Sequence, residues 1–256
     1  MNTNNLENYP SIFAEGPSPL VSNKYQFIKT SDVLESLSSL GWNAREMSEV
    51  RARKPHTKGF QKHLIRLSNP EFKTVNVGDE VPELVLTNSH NGKNSFSFRI
   101  GIYRLVCSNG LIIPTEEFTN VTVKHVGNMV SQIQEVIKKM SGSFHDVYSD
   151  INKMKSRKMT PREISTFSRE AARLRSSTLT ERISSNIEEV TSPRRKEDDG
   201  DDLWKVYNRA QENLMQGNFE IKTKKGSRKG TSIRSIDKGI KMNEDLWNLA
   251  KSYLSL

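Results

Sequence analysis

The chain carries one cysteine, Cys107, in 256 residues. No disulfide can form within it, and no second thiol exists to build a Cys-based zinc or redox site. A lone cysteine in a run of strand character reads as a small core residue and fits a reducing compartment. Long apolar runs are also missing. No segment approaches the ~20 apolar residues that span a bilayer, and the polar stretch Met1–Glu7 has no apolar region behind it. The sequence therefore predicts a cytoplasmic chain with no membrane association. A Walker-type phosphate loop, a dinucleotide glycine fingerprint and Gly-x-Ser-x-Gly are absent. The five histidines, His56, His63, His90, His125 and His145, show no metal-ligand spacing. These absences argue against an enzyme and against a bound cofactor.

What the chain has is positive charge. Lysine and arginine number 39 against 30 acidic residues, a net charge of +9. Such an excess favours a polyanionic partner: nucleic acid, an acidic membrane surface or an acidic protein. Only 34% of residues are hydrophobic, and mean hydropathy is -0.66. One modest core with polar extensions follows from these values.

The strongest local signal is Asn91-Gly92 between two runs of alternating polarity, Val81–Asn88 and Ser95–Cys107. Primed two-residue turns need positive φ, so this dipeptide predicts a tight hairpin. Arg99 and Arg104 fall on opposite faces of the second strand. Phe60–Leu67 and part of Trp42–Arg53 read as further strands, and Leu111-Ile112-Ile113 extends the sheet after Asn109-Gly110. Ahead of these, Thr30-Ser31-Asp32 predicts a cap for a helix that carries Val33, Leu34, Leu37 and Leu40 and stops at Gly41.

From Val126 the period changes to three and four, through Met129, Val130, Ile133, Val136, Ile137 and Met140. Gly142 is expected to end or interrupt this helix, with a second helix over Phe144–Met159. Thr160-Pro161-Arg162-Glu163 predicts a capping box and a third helix. Helix, strands, then helices indicate an α+β fold: an antiparallel sheet with a hairpin, followed by long helices, plus a helical C-terminal appendage. The expected organisation is a flexible arm over 1–24, an α+β core over 25–190, a mobile charged linker over 191–202, and a helical and basic region over 203–256. Within that region 222–241 reads as a basic loop before a short helix at Asn243–Ala250. The acidic cluster Asp198, Asp199, Asp201 and Asp202 reads as solvated.

The cations gather in three stretches. Arg51, Arg53, Lys54, Lys58, Lys62 and Arg66 lie on or between early strands. Lys155, Arg157 and Lys158 sit among the helices, and Lys224, Lys225, Arg228 and Lys229 occupy the last loop. With Arg99, Arg104, and Lys124-His125 at a helix start, they form the candidate nucleic-acid-binding set, suited to phosphates more than to bases. Tyr25, Phe60, Phe96, Phe98 and Tyr103 are the aromatics available for base stacking. Ser89 and His90 point to opposite sides of a strand, which argues against a nucleophile–base pair; His90 reads as a turn cap or a phosphate contact.

Three blocks carry a resemblance: Thr87–Gly92, Arg104–Leu111, and Lys124-His125 opening a long helix. With Leu203–Leu214 and Lys241–Trp247 near the end, the chain resembles the phage/plasmid-like family known as domain of unknown function 932, over roughly residues 25–252. That resemblance implies a phage, plasmid or similar mobile element. The element order also looks like that of Rad52-type single-strand annealing proteins. The expected function is non-enzymatic binding and annealing of single-stranded DNA in recombination, by a homo-oligomeric ring or filament. The alternative is a protein-binding module, such as an inhibitor of a host defence system, with a host protein as partner.

Overall fold

The computed structural model describes residues 8–71, 80–104, 110–113, 129–175, 183 and 187–255. The fold is α+β and divides into two compact units, Met1–Phe144 and His145–Leu256.

The first unit is built on an antiparallel meander. Its strands are β1 (Asn43–Glu49), β2 (His63–Ser68), β3 (Glu80–Asn88), β4 (Ser97–Arg104) and β5 (Gly110–Ile113), in the spatial order β1-β2-β3-β4-β5. Register places Ile65, Leu67, Leu84, Leu86, Phe98, Ile100 and Ile102 on one face, and each is at most 1% exposed. Helix α1 (Thr30–Ser39) buries Val33, Leu34 and Leu37. The opposite face carries Arg66, Glu83, Thr87, Ser97 and Arg99 by the same register. All nine residues of β3 are buried, so this strand is not the half-solvated one its alternation predicts. The polar side chains on that face satisfy one another instead of water.

Three local expectations change. Gly92 does take a positive φ of +72°, yet the ladder closes at Thr87–Ser97. Residues 89–96 form a wider loop in place of a two-residue turn, held by Asn91 Oδ1 accepting from Lys93 N at 3.1 Å and by Ser89 Oγ donating to the Asn94 carbonyl at 3.3 Å. Helix α1 has no side-chain cap; Lys29 holds the cap position, because the Thr30 hydroxyl is engaged with His63. The N-terminal segment packs from residue 8 onward instead of forming a loose arm, with Ser11 and Ile12 fully buried.

The unit boundary falls within α2 (Met129–Ser156), which runs unbroken through Gly142. One glycine costs about 1 kcal/mol in a helix, too little to divide 28 residues. Helix α3 (Pro161–Arg175) begins with the expected capping box: Thr160 N donates to Glu163 Oε2 at 2.7 Å, and Glu163 N donates to Thr160 Oγ1 at 3.3 Å. Arg157, followed by the Thr160 bonds, holds the Glu163 carboxyl down to about 2.

The 191–202 segment is anchored, contrary to the linker expectation. Arg195 bonds both Asp198 and Glu212, each at 2.8 Å through Nη1. Asn213 Nδ2 reaches the carbonyls of Glu189 and Ser192 at 3.0 and 2.9 Å. Asp198 and Asp202 are buried, while Asp199 and Asp201 are exposed. Asp202 caps α4 (Leu203–Gln216) by accepting from Lys205 N at 3.0 Å. Helix α5 (Ile236–Ser252) starts well before Asn243, with Ser235 as its cap. Trp204, Tyr207 and Trp247 close on one another at centroid distances of 5.5 to 6.4 Å, so the two aromatic helices cover each other within this unit.

Helix α4 ends at Gly217, at φ +75°. A Cβ there would stand 2.6 Å from the backbone of Gly230 and Thr231. Left-handed strain alone costs roughly 1–2 kcal/mol in an L-residue, and backbone cannot step aside. Gly217→Ala is expected to cost about 2 kcal/mol or more in urea unfolding. A loss below about 0.5 kcal/mol, the scale of an ordinary surface change, would show that this junction is loose.

Candidate nucleic-acid interface

Strands β6 (Glu220–Thr223) and β7 (Gly226–Lys229) form a two-stranded antiparallel ribbon in the second unit, where the sequence reads as a loop. Lys224-Lys225 is its turn, closed by Gly226 at φ +115°. The base is anchored: Ile221 is buried, Glu220 N donates to Glu189 Oε2 at 2.7 Å, and Gly230 N donates to the Phe219 carbonyl at 2.7 Å. The tip is open. Lys222, Lys224, Lys225, Arg228 and Lys229 are all exposed, and none forms an ion pair among the described residues. A second set lies in the first unit, in the connection from β1 to β2. Arg51, Arg53, Lys54 and Lys58 occupy it, around the 3-10 turn Pro55–Thr57, again with no ion pair among the described residues.

The remaining candidates divide. Arg66 is only 7% exposed. Its Nη1 meets Glu83 Oε2 at 2.9 Å, while Arg45 Nε takes Glu83 Oε1 at 2.7 Å. Arg66 is therefore part of a buried ion cluster and is withdrawn from the phosphate-binding set. Arg99 is half-buried and donates to Ser97 Oγ at 2.8 Å. Arg157 is taken by Glu163 at 2.6 Å, and the exposed Lys158 pairs with Asp201 at 2.5 Å. Lys62 and Lys155 are half-buried. Arg104 ends β4 in register with Glu80. Lys124, His125 and Cys107 lie outside the described residues. Base stacking loses its best candidates: Phe96 and Phe98 are buried edge to face at 5.1 Å, and Tyr103 lies under Arg45 at 3.6 Å.

One cluster has no counterpart in the sequence reading. Antiparallel pairing sets His63 opposite Asn88, which brings the His90 ring to 5.3 Å from that of His63. Both histidines are fully buried, so neither meets a phosphate. Donor counting fixes the hydrogens of this network. Ser11 Oγ donates to Glu49 Oε2 at 2.7 Å and so accepts from His63 Nδ1 at 3.0 Å. His63 Nε2 then accepts from the Thr30 hydroxyl at 3.0 Å. Thr30 Oγ1 accepts from Asn88 Nδ2 at 3.0 Å and from His90 Nε2 at 3.4 Å. His90 Nδ1 has no hydrogen-bond partner among the described residues. Burial, with the neighbouring His90 ring second, pushes His63 down to about 3; burial pushes His90 down to about 4. The network is a neutral latch that ties the N-terminal segment to the sheet. Its serine and histidines are sealed from any substrate.

A family model described as Domain of unknown function (DUF932) matches residues 19–247. The chain belongs to this family. Two proteins of Escherichia coli (strain K12), UPF0380 protein YfjQ and UPF0380 protein YafZ, are each 34% identical to it over 252 residues, covering 96% of this chain and 88% of each relative. No solved structure matches the chain. The DUF932 match contains both exposed cationic segments, the Glu83 cluster and the histidine pair, while Ser11 lies before it. Among the described residues of this DUF932 chain, no helix is long and apolar enough to cross a membrane.

Proposed function

We propose that this DUF932 protein binds single-stranded DNA through its phosphates, without catalysis, and promotes annealing of complementary strands. The observation that carries the reading is the β6–β7 ribbon, an anchored element that presents five exposed cations, none of them in an ion pair among the described residues. The Arg51–Lys58 connection supplies a second set of the same kind. Lysine and arginine on phosphates carry affinity but no sequence information. Contacts made to phosphates leave base edges free to pair with a second strand. Annealing needs several subunits side by side, so the active form in this reading is a ring or filament. In this reading the setting is the cytoplasm of a bacterium that carries a mobile element.

The test is a binding series with labelled single- and double-stranded DNA of mixed sequence, alongside annealing of complementary strands and mass photometry. The expected result is sequence-independent binding that prefers single strands, faster annealing, and assemblies larger than a monomer on DNA. No binding at low salt would overturn the reading and leave the ribbon to an acidic protein partner. Binding by a monomer with no faster annealing would reduce the function to passive coating.

A further inference from the structure

A cavity of about 480 Å³ opens where the chain leaves β7 and enters α5. Arg175 lines it from the end of α3, Thr231 and Arg234 from the segment after β7, and Ser235, Lys238 and Lys241 from the start of α5. Four cations thus meet one carboxylate, Asp245, which Lys241 already neutralises at 2.9 Å. Arg234 and Lys238 are exposed and form no ion pair among the described residues.

Arg175 is the informative member. Its guanidinium is half-buried and donates to the main-chain carbonyls of Leu214 and Thr231. It also lies 5.1 Å over the Phe219 ring. All of these partners are neutral, so its charge is partly desolvated and uncompensated; burial lowers its pKa accordingly. A charge in that state attracts an anion more strongly than one in water. The cavity falls in the size range of small-ligand sites, and the Thr231 and Ser235 hydroxyls add donors beside the cations. Arginine and lysine together with hydroxyls suit a compact, doubly charged phosphate.

We propose that this cavity binds a terminal phosphate, the phosphomonoester of a free nucleotide or of a strand end. The ribbon faces phosphodiesters, which carry one charge each, whereas the excess charge here matches a dianion. The strand-end source rests on the DNA-binding reading above; the nucleotide source does not.

The experiment uses the full chain and four probes: adenosine 5′-monophosphate, adenosine, and one oligonucleotide bearing either a 5′-phosphate or a 5′-hydroxyl. At least tenfold tighter binding is expected for the phosphate-bearing member of a pair. That gain should disappear in R234Q/K238Q, whose melting temperature stays that of the parent because both side chains are exposed. Affinity for the 5′-hydroxyl strand should be unchanged in the same variant. Gain for the oligonucleotide alone assigns a strand end, and gain for the nucleotide alone assigns a nucleotide. Nucleotide binding with no DNA binding sustains the site while the DNA reading fails. Equal affinity within both pairs, or a phosphate gain that survives R234Q/K238Q, overturns the proposal even if the ribbon binds DNA.

Discussion

Replacing Glu83 by alanine is expected to destabilise the first unit by about 3–5 kcal/mol, the usual result of removing one partner from a buried ion pair. Glu83 is 0% exposed and receives Arg45 at 2.7 Å and Arg66 at 2.9 Å. Without it, two guanidiniums remain close together, Arg66 with almost no water. Among the described residues Glu46 also lies near the two guanidiniums, but it is 52% exposed and stands 3.6 Å from Arg45 and 3.8 Å from Arg66, too far and too wet to substitute. A domain's whole stability is of the order of 5–15 kcal/mol, so this one change removes a large share of it. Glu46→Ala is the control, with an expected cost below about 1 kcal/mol. Hydrogen exchange of β2 and β3 amides in urea reads the effect locally. A destabilisation by Glu83→Ala no larger than that of the control would show that the cluster is hydrated.

Acid should loosen the same unit as pH falls below 6.5. The folded histidines have pKa values near 3 for His63 and near 4 for His90, against an ordinary 6.5. Below pH 6.5 the unfolded chain therefore takes up protons that the folded chain refuses. The neutral latch is fully effective above pH 6.5, and stability declines as pH falls toward 4. Each histidine contributes a slope of about 1.4 kcal/mol per pH unit in that window. Denaturant unfolding between about pH 7.5 and 4.5 should show it, and His63→Gln should flatten the curve even though it lowers stability at neutral pH. A parent curve flat from about pH 7 to 5 would mean that both rings are reached by solvent.

Signals local in sequence were legible. The capping box at Thr160 and Glu163 needs only a three-residue spacing, and Asn91-Gly92 marks the β3–β4 reversal although the loop is longer than two residues. Long-range pairing was not legible. Arg66 reads as a solvated strand cation until register brings Glu83 close. His63 and His90 are far apart in the chain, and only the β2–β3 pairing joins them. The alternation His63-Leu64-Ile65-Arg66-Leu67 set against the run ending at Asn88 was the one usable signal for that pairing. The 191–202 segment has the composition of a linker, yet Arg195, Asp198 and Glu212 satisfy one another and fix it. The ribbon was hidden because Lys222–Lys229 has the charge of a loop and almost none of the apolar content of a strand; Ile221 alone anchors it in the core.

The most direct test of phosphate binding by the exposed ribbon cations is the salt dependence of single-strand binding for the parent and for K224Q/K225Q/R228Q/K229Q. Log affinity should fall linearly with log salt, and the variant's slope should be shallower by about 0.7 for each phosphate that the substituted side chains no longer neutralise. The variant's melting temperature should be unchanged, since all four side chains are exposed. A variant that binds single strands with the parent's affinity and slope would show that the ribbon cations do not hold the phosphates.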